Sequence, residues 1–213
     1  MREASKLARP GPYVANLYLA CAPILEPMEV LEFEKKVLLI GEASVGKTSL
    51  VRRFVIDRFD DRYIVTIGTK VSRKVMDFEY PGEGVAVSLM MSVWDVIGQR
   101  SAERVHEMYF KGAEAFILVC DGTRRETFEA VGDWAFRARR VAGPVPGVLA
   151  CNKADLKAAF KVTEAEVRAK AQGLGLAPLF TSAKTGENVE EAFRKIGEGL
   201  SRAILAKRQA AAR

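Results

Sequence analysis

The chain has 213 residues, of which 49% are hydrophobic and 28% charged, with a formal net charge of +6. That size and mix suit one globular domain with a sizeable core, and no apolar run reaches the roughly 18 residues that a bilayer-crossing helix needs. The positive charge sits at the two ends (Arg2, Lys6 and Arg9 against Glu3; Arg202, Lys207, Arg208 and Arg213) and leaves the body near neutral, which argues against a nucleic-acid-binding face and allows at most weak contact with an anionic membrane surface.

Residues 1–28 are interrupted by Pro10, Pro12 and Pro23, which disfavours a long helix. Tyr13 to Leu25 is apolar and carries Ala20-Cys21-Ala22, superficially like a short signal peptide. The stretch is about the shortest that could serve as one, which argues against export. Two alternatives stay open: an extension that packs on the domain, or sequence upstream of a true start at Met28. From Val30 onward the elements alternate. Glu34 to Ile40 reads as the first strand, and a helix follows the next loop to about Phe59. Asp60 to Gly68 reads as an exposed loop. Thr69 to Tyr80 and Val85 to Trp94 are strand-like runs joined by Pro81-Gly82-Glu83-Gly84, a hairpin signal. Ala115 to Cys120 is a short apolar strand covered on both faces. Thr123-Arg-Arg-Glu126 has the spacing of a capping box, predicting a helix from there to about Val141.

Val148 to Cys151 is a further strand, and Thr163-Glu-Ala-Glu166 caps a helix to about Leu174. Leu179 to Thr181 ends a sixth strand, and Asn188 opens a last helix to about Lys207. The alternation predicts an α/β fold: a mostly parallel six-stranded sheet with one antiparallel edge strand and helices on both faces. The expected domain spans 29–205, with a basic, alanine-rich tail at 206–213. Cys21, Cys120 and Cys151 form no disulfide framework; the last two each end an apolar run and read as buried, reduced thiols of a cytoplasmic protein. The tail carries no cysteine, so no prenyl anchor is expected.

Gly41 to Thr48, GEASVGKT, follows an apolar strand and opens a helix, the context in which Gly-four residues-Gly-Lys-Thr cradles phosphate and marks a P-loop NTPase. Successive backbone N–H groups and the positive helix end converge on an anion. Gly41 and Gly46 allow backbone conformations and an approach that a Cβ would block. Lys47 would reach the β- and γ-phosphates and the Thr48 hydroxyl would ligate Mg²⁺. Other polar motifs also fall at strand ends, where ligands of such sheets sit. Asp95, ending a strand in Trp94-Asp95-Val96-Ile97-Gly98-Gln99, suits the magnesium shell. In Asn152-Lys153-Ala154-Asp155, a carboxylate accepts two N–H bonds from the Watson–Crick edge of guanine, whereas adenine presents acceptors there. Thr181-Ser182-Ala183-Lys184 offers backbone N–H groups to the base carbonyl.

On GEASVGKT at 41–48, TIG at 66–68, WDVIGQ at 94–99, NKAD at 152–155 and TSAK at 181–184, the chain resembles a small GTPase of the Ras superfamily, most similar to the Rab branch, over roughly residues 33–205. The resemblance implies binding of GTP and GDP with Mg²⁺ and slow hydrolysis of GTP. The implied nucleotide-binding set is Ala43, Ser44, Val45, Gly46, Lys47, Thr48, Ser49, Phe59, Thr66, Gly98, Asn152, Lys153, Asp155, Ser182, Ala183 and Lys184. Thr48, Thr66 and Asp95 form the implied metal set, and Gln99 and Lys47 the implied catalytic pair: Gln99 orients water, Lys47 stabilises the transition state. Phe59 would stack on guanine, Gly98 would donate to the γ-phosphate, and Lys153 would lie along ribose and base. Loops at about 60–70 and 96–110 would relax when the γ-phosphate leaves. Effector, exchange-factor and GTPase-activating proteins are the implied partners, and a cytoplasmic monomer is expected.

The sequence departs from the family pattern at three points. Ile97 replaces a small Ala and Val96 a Thr, and Ala43 stands where many members have Gly. These departures keep open a hydrolysis-deficient scaffold that holds GTP or GDP. No arginine is assigned as a catalytic finger; Arg124 and Arg125 read as surface charge at a helix start, and the lone His106 as solvent-facing.

Overall fold

The computed structural model describes residues 28–57, 69–96 and 103–211, without the side chains of 103–106. Six strands form one sheet: β1 (Glu29–Ile40), β2 (Thr69–Tyr80), β3 (Val85–Val96), β4 (Ala115–Asp121), β5 (Gly147–Asn152) and β6 (Ala177–Thr181). Their order is β2-β3-β1-β4-β5-β6, with β2 antiparallel to β3 at one edge and every other pairing parallel. The helices are α1 (Lys47–Ile56), α2 (Glu103–Phe110), α3 (Arg125–Glu129), α4 (Val131–Ala142), α5 (Glu164–Gly173) and α6 (Val189–Ala211).

The central strands are apolar on both faces because both are covered. Val37 and Leu39 pack with Leu50 and Phe54 of α1 and Phe193 and Ile196 of α6. Leu38 and Ile40, one residue out of phase, pack with Phe110 of α2, Trp134 and Ala135 of α4 and Val167 of α5. Phe54 and Phe193 stack with centroids 3.7 Å apart, pinning α1 to α6. Cys120 and Cys151 are free and buried. The Cys151 thiol, together with burial, pushes the Cys120 thiol well up, so it stays protonated. No helix among the described residues is long and apolar enough to cross a membrane.

The observed elements depart from the expected boundaries in instructive ways. β1 begins at Glu29, not Glu34, because β3 supplies partners from Val85 onward, and Leu31 packs near Leu205. α1 stops at Ile56, where Asp57 turns left-handed at φ 49°. The Thr123 capping box does not form: its hydroxyl donates to Asp121 Oδ1 at 2.7 Å, and Arg124 takes the N-cap without a side-chain bond. The expected single helix is also split at Ala130 into α3 and α4. By contrast, the Thr163–Glu166 capping box is complete in both directions. The Pro81–Glu83 turn closes the β2–β3 hairpin on Gly84 at φ 64°.

Candidate functional site

The carboxyl ends of β1, β3, β4, β5 and β6 all open on one crevice, and the polar motifs gather there. β1 delivers the chain to Gly41, whose φ of 142° and distance of 2.2 Å between a built Cβ and the Val119 carbonyl oxygen exclude any larger residue. Ser44 turns left-handed at φ 64°, and Gly46 follows at φ 101°. Gly46 is the N-cap of α1 and carries no side chain to cap it, so the positive helix end faces the loop's concavity. A Cβ on Gly46 would lie 2.2 Å from the Asn152 amide nitrogen. This glycine is what lets the loop after β5 touch the loop after β1.

Lys47 is buried, and its ammonium donates to the carbonyls of Gly41 and Glu42, both at 2.8 Å. Burial pushes its pKa down to about 8, against the pull of the Asp95 and Glu42 carboxylates. The Thr48 hydroxyl donates to Asp95 Oδ2 at 2.5 Å, and the Asp95 side chain is 1% exposed. A hydroxyl beside a buried carboxylate is an all-oxygen donor set, which fits a hard divalent cation that also takes phosphate and water oxygens. A small hollow of about 70 Å³ lies against these two residues between α1 and β2, lined further by Val51, Arg52, Val55, Ile56, Lys70 and Ser72.

On the other side of the crevice, Asn152 is 2% exposed and works in both directions. Its amide donates to the Val45 carbonyl at 2.8 Å, and its Oδ1 accepts from the Thr181 hydroxyl and the Ala183 N–H, each at 3.3 Å. Lys153 turns left-handed at φ 70°, and its ammonium meets Asp121 Oδ2 at 2.5 Å. Asp155 sits in the following 3₁₀ turns, where its Oδ1 accepts the Ser182 hydroxyl at 2.6 Å, fixing one carboxylate oxygen. Ser182 in turn accepts the Thr185 N–H at 3.1 Å. Lys184 is exposed.

Three residues to which the sequence assigned no part in the site complete this frame. Arg53 of α1 donates to the carbonyls of Ala183 at 3.0 Å and Lys184 at 2.6 Å, tying the loop after β6 to the helix that follows the phosphate loop. Asp121, at the end of β4, is fully buried and joins Lys153 and Arg124. Arg124 is not simple surface charge as expected: it donates to Asp121 and to the Ala43 carbonyl. Only the run into Asp121, a carboxylate closing an all-apolar strand, offered a sequence signal. Arg125 does remain a surface residue, paired with Glu129 and Glu166. Phe59, Thr66, Ile97, Gly98 and Gln99, the side chain of His106 and the extension before Met28 lie outside the described residues.

A glycine-bounded loop feeding the start of α1, on a doubly covered sheet with one antiparallel edge, defines a P-loop NTPase. The sequence model of the Ras family matches residues 36–202. Zebrafish Ras-related protein Rab-4A is 39% identical over 166 residues, 78% of this chain and 75% of the relative. Human Ras-related protein Rab-4B is 39% identical over 168 residues, 78% and 76% of the two chains. Bovine Ras-related protein Rab-13 is 36% identical over 174 residues, 81% and 80%. The chain belongs to the Ras family of small GTPases and is Rab-like within it.

Proposed function

We propose that the chain is a cytoplasmic molecular switch that binds GTP and GDP with Mg²⁺, hydrolyses GTP slowly and presents loops at about 60–70 and 96–110 to effector, exchange-factor and GTPase-activating proteins. The observation that carries it is the Asn152 amide, which joins the Val45 carbonyl of the phosphate loop to the Ala183 N–H of the loop after β6. That bridge supports reading a phosphate cradle and a guanine-binding carboxylate on one crevice.

On this reading the N–H groups of residues 44–48 hold the phosphates, and Lys47 exchanges its two carbonyl acceptors for phosphate oxygens. Asp155 accepts from guanine while Ser182 fixes its other side. Thr48 and Asp95 would hold Mg²⁺, with Thr66 joining when GTP is bound. When bound, the cation neutralises charge shared by the β- and γ-phosphates. Lys47 and the loop N–H groups oppose the negative charge that develops on the transferred phosphoryl and leaving oxygens. Gln99 orients the attacking water, and Gly98 senses the γ-phosphate. An arginine supplied by a partner adds on the order of 10³–10⁵ in rate in such enzymes, so the isolated chain turns over slowly.

The test is the nucleotide carried by freshly purified protein, followed by single-turnover phosphate release from preloaded GTP. Bound guanine nucleotide and release above the buffer rate are expected. Equal affinities for GTP and ATP would sink the guanine assignment. Retention of GTP with no release would favour the second reading, a scaffold without hydrolysis, which the Ala43 methyl in the phosphate loop and Ile97 beside Gly98 favour.

A further inference from the structure

Asp121 is the hub of a polar chain that the nucleotide motifs do not account for. Its fully buried carboxylate accepts from the Thr123 N–H at 2.9 Å, the Thr123 hydroxyl at 2.7 Å and Arg124 Nε at 3.1 Å, and pairs with the Lys153 ammonium at 2.5 Å. Burial by itself would raise this acid; the bonds from Lys153 and Thr123 outweigh it and hold the acid below its ordinary value, so it stays anionic. Arg124 Nη2 then donates to the Ala43 carbonyl at 2.8 Å, across 81 positions of chain.

Ala43 is exposed, so water can serve its carbonyl; Arg124 takes that place in the folded chain and ties this corner of the loop to the end of β4. A planar fork suits this position, since Nε and Nη2 serve two acceptors at once, which a lysine's single ammonium on a flexible stem does not. The result is a continuous link from Ala43 through Arg124 and Asp121 to Lys153, running beside the Asn152–Val45 bond.

We propose that Arg124 is a positioning residue for the nucleotide: its guanidinium clamps the Ala43 corner of the phosphate loop to the Asp121 carboxylate that also holds Lys153, so that the two ends of the site let go of their ligand together. This rests on the proposed guanine-nucleotide reading of the crevice. The two can fail separately.

Release of a fluorescent GDP analogue from the full chain tests it, in wild type, Arg124→Ala and Arg124→Lys, each with its thermal midpoint. Release about tenfold faster is expected for Arg124→Ala, and Arg124→Lys should resemble the alanine variant, because the charge is kept but the fork is lost. Adding Lys153→Ala to Arg124→Ala should accelerate release by less than the product of the single effects, since both act through Asp121. A role confined to starting α3 would lower the midpoint and leave release unchanged. Wild-type release from either folded variant, or full rescue by lysine, overturns the proposal; if the alanine variant does not fold, the lysine variant decides. A wild-type chain that retains no guanine nucleotide overturns the reading of the crevice itself, and this inference with it.

Discussion

The two ends of the crevice are built on different terms. At the base end the polar side chains already hold protein partners: Asp155 accepts Ser182, and Asn152 serves Val45, Thr181 and Ala183. Arg53 pins the backbone of that corner from α1. At the proposed phosphate end the same kinds of groups rest on contacts that, on that proposal, a ligand replaces. The Lys47 ammonium lies on two carbonyls of its own loop, and the Thr48 hydroxyl lies on Asp95. On the proposed function this divides the labour. A base pocket whose donors and acceptors are fixed in advance discriminates by leaving a wrong base unpaired. A phosphate end that exchanges partners responds to whether a third phosphate is present.

The sharpest way to break that comparison is Asp155→Asn. The amide presents a donor where the carboxylate presented only acceptors, so guanine loses its match and xanthine gains one. The ratio of guanine to xanthine nucleotide affinity should fall by about 10⁴-fold, measured by competition against a labelled nucleotide. Because Ser182 holds the side chain in place, unfolding should change little. An unchanged preference would mean that Asp155 does not face the base.

Gly46→Ala comes next, since it strikes the joint between the ends. The new methyl would meet the Asn152 amide at 2.2 Å, in a backbone conformation at φ 101° that an L side chain resists. The amide is held by the Val45 carbonyl, so it cannot swing away without losing that bond. Strain and overpacking together should cost about 2–4 kcal/mol in urea unfolding. With Asn152→Ala as background the cost should shrink, because the collision partner is gone. A full penalty in that background would place the strain in the phosphate loop alone, and the ends would then be independent.

Much of this frame was legible because local chemistry and tertiary context agree. Ala115 to Cys120 reads as a doubly covered strand and is one, and the apolar run Val37 to Ile40 proves to end a strand that is also packed on both faces. Thr163 and Glu166 meet as their spacing requires, since no other partner among the described residues takes the threonine hydroxyl. Thr123 shows the opposite. It stands the same three residues before a glutamate, but the Asp121 carboxylate, closer in chain and fully buried, takes its hydroxyl. Arg124 and Arg53 were misread or missed for a related reason. The acceptors that tie them to the site are backbone carbonyls 81 and 130 positions away, and a carbonyl leaves no mark in sequence. The early start of β1 was hidden by its charged residues, and it is held by the equally long β3.

The smallest expected effect concerns the frame behind the base end. Glu166 accepts the Thr163 N–H and hydroxyl, each at 2.7 Å, and Arg125 at 2.9 Å, which together lower its pKa to about 2. The Arg125 bond links α5 to the start of α3, one residue from Arg124. A carboxylate depressed below its unfolded value of about 4.3 is stabilising above that pH, and the contribution is lost as pH falls toward 2. The group is exposed, so water and salt reduce the effect, and Glu166→Gln should lower the thermal midpoint at neutral pH by only about 2–4 °C. The gap between wild type and variant should stay constant above about pH 5, narrow between 4.5 and 2, and shrink with added salt. Preference for GTP over ATP should not move, because the Asp155–Ser182 pair does not depend on this cap. A shift in that preference would show that the base end is positioned from outside by α5 and is not fixed by its own bonds.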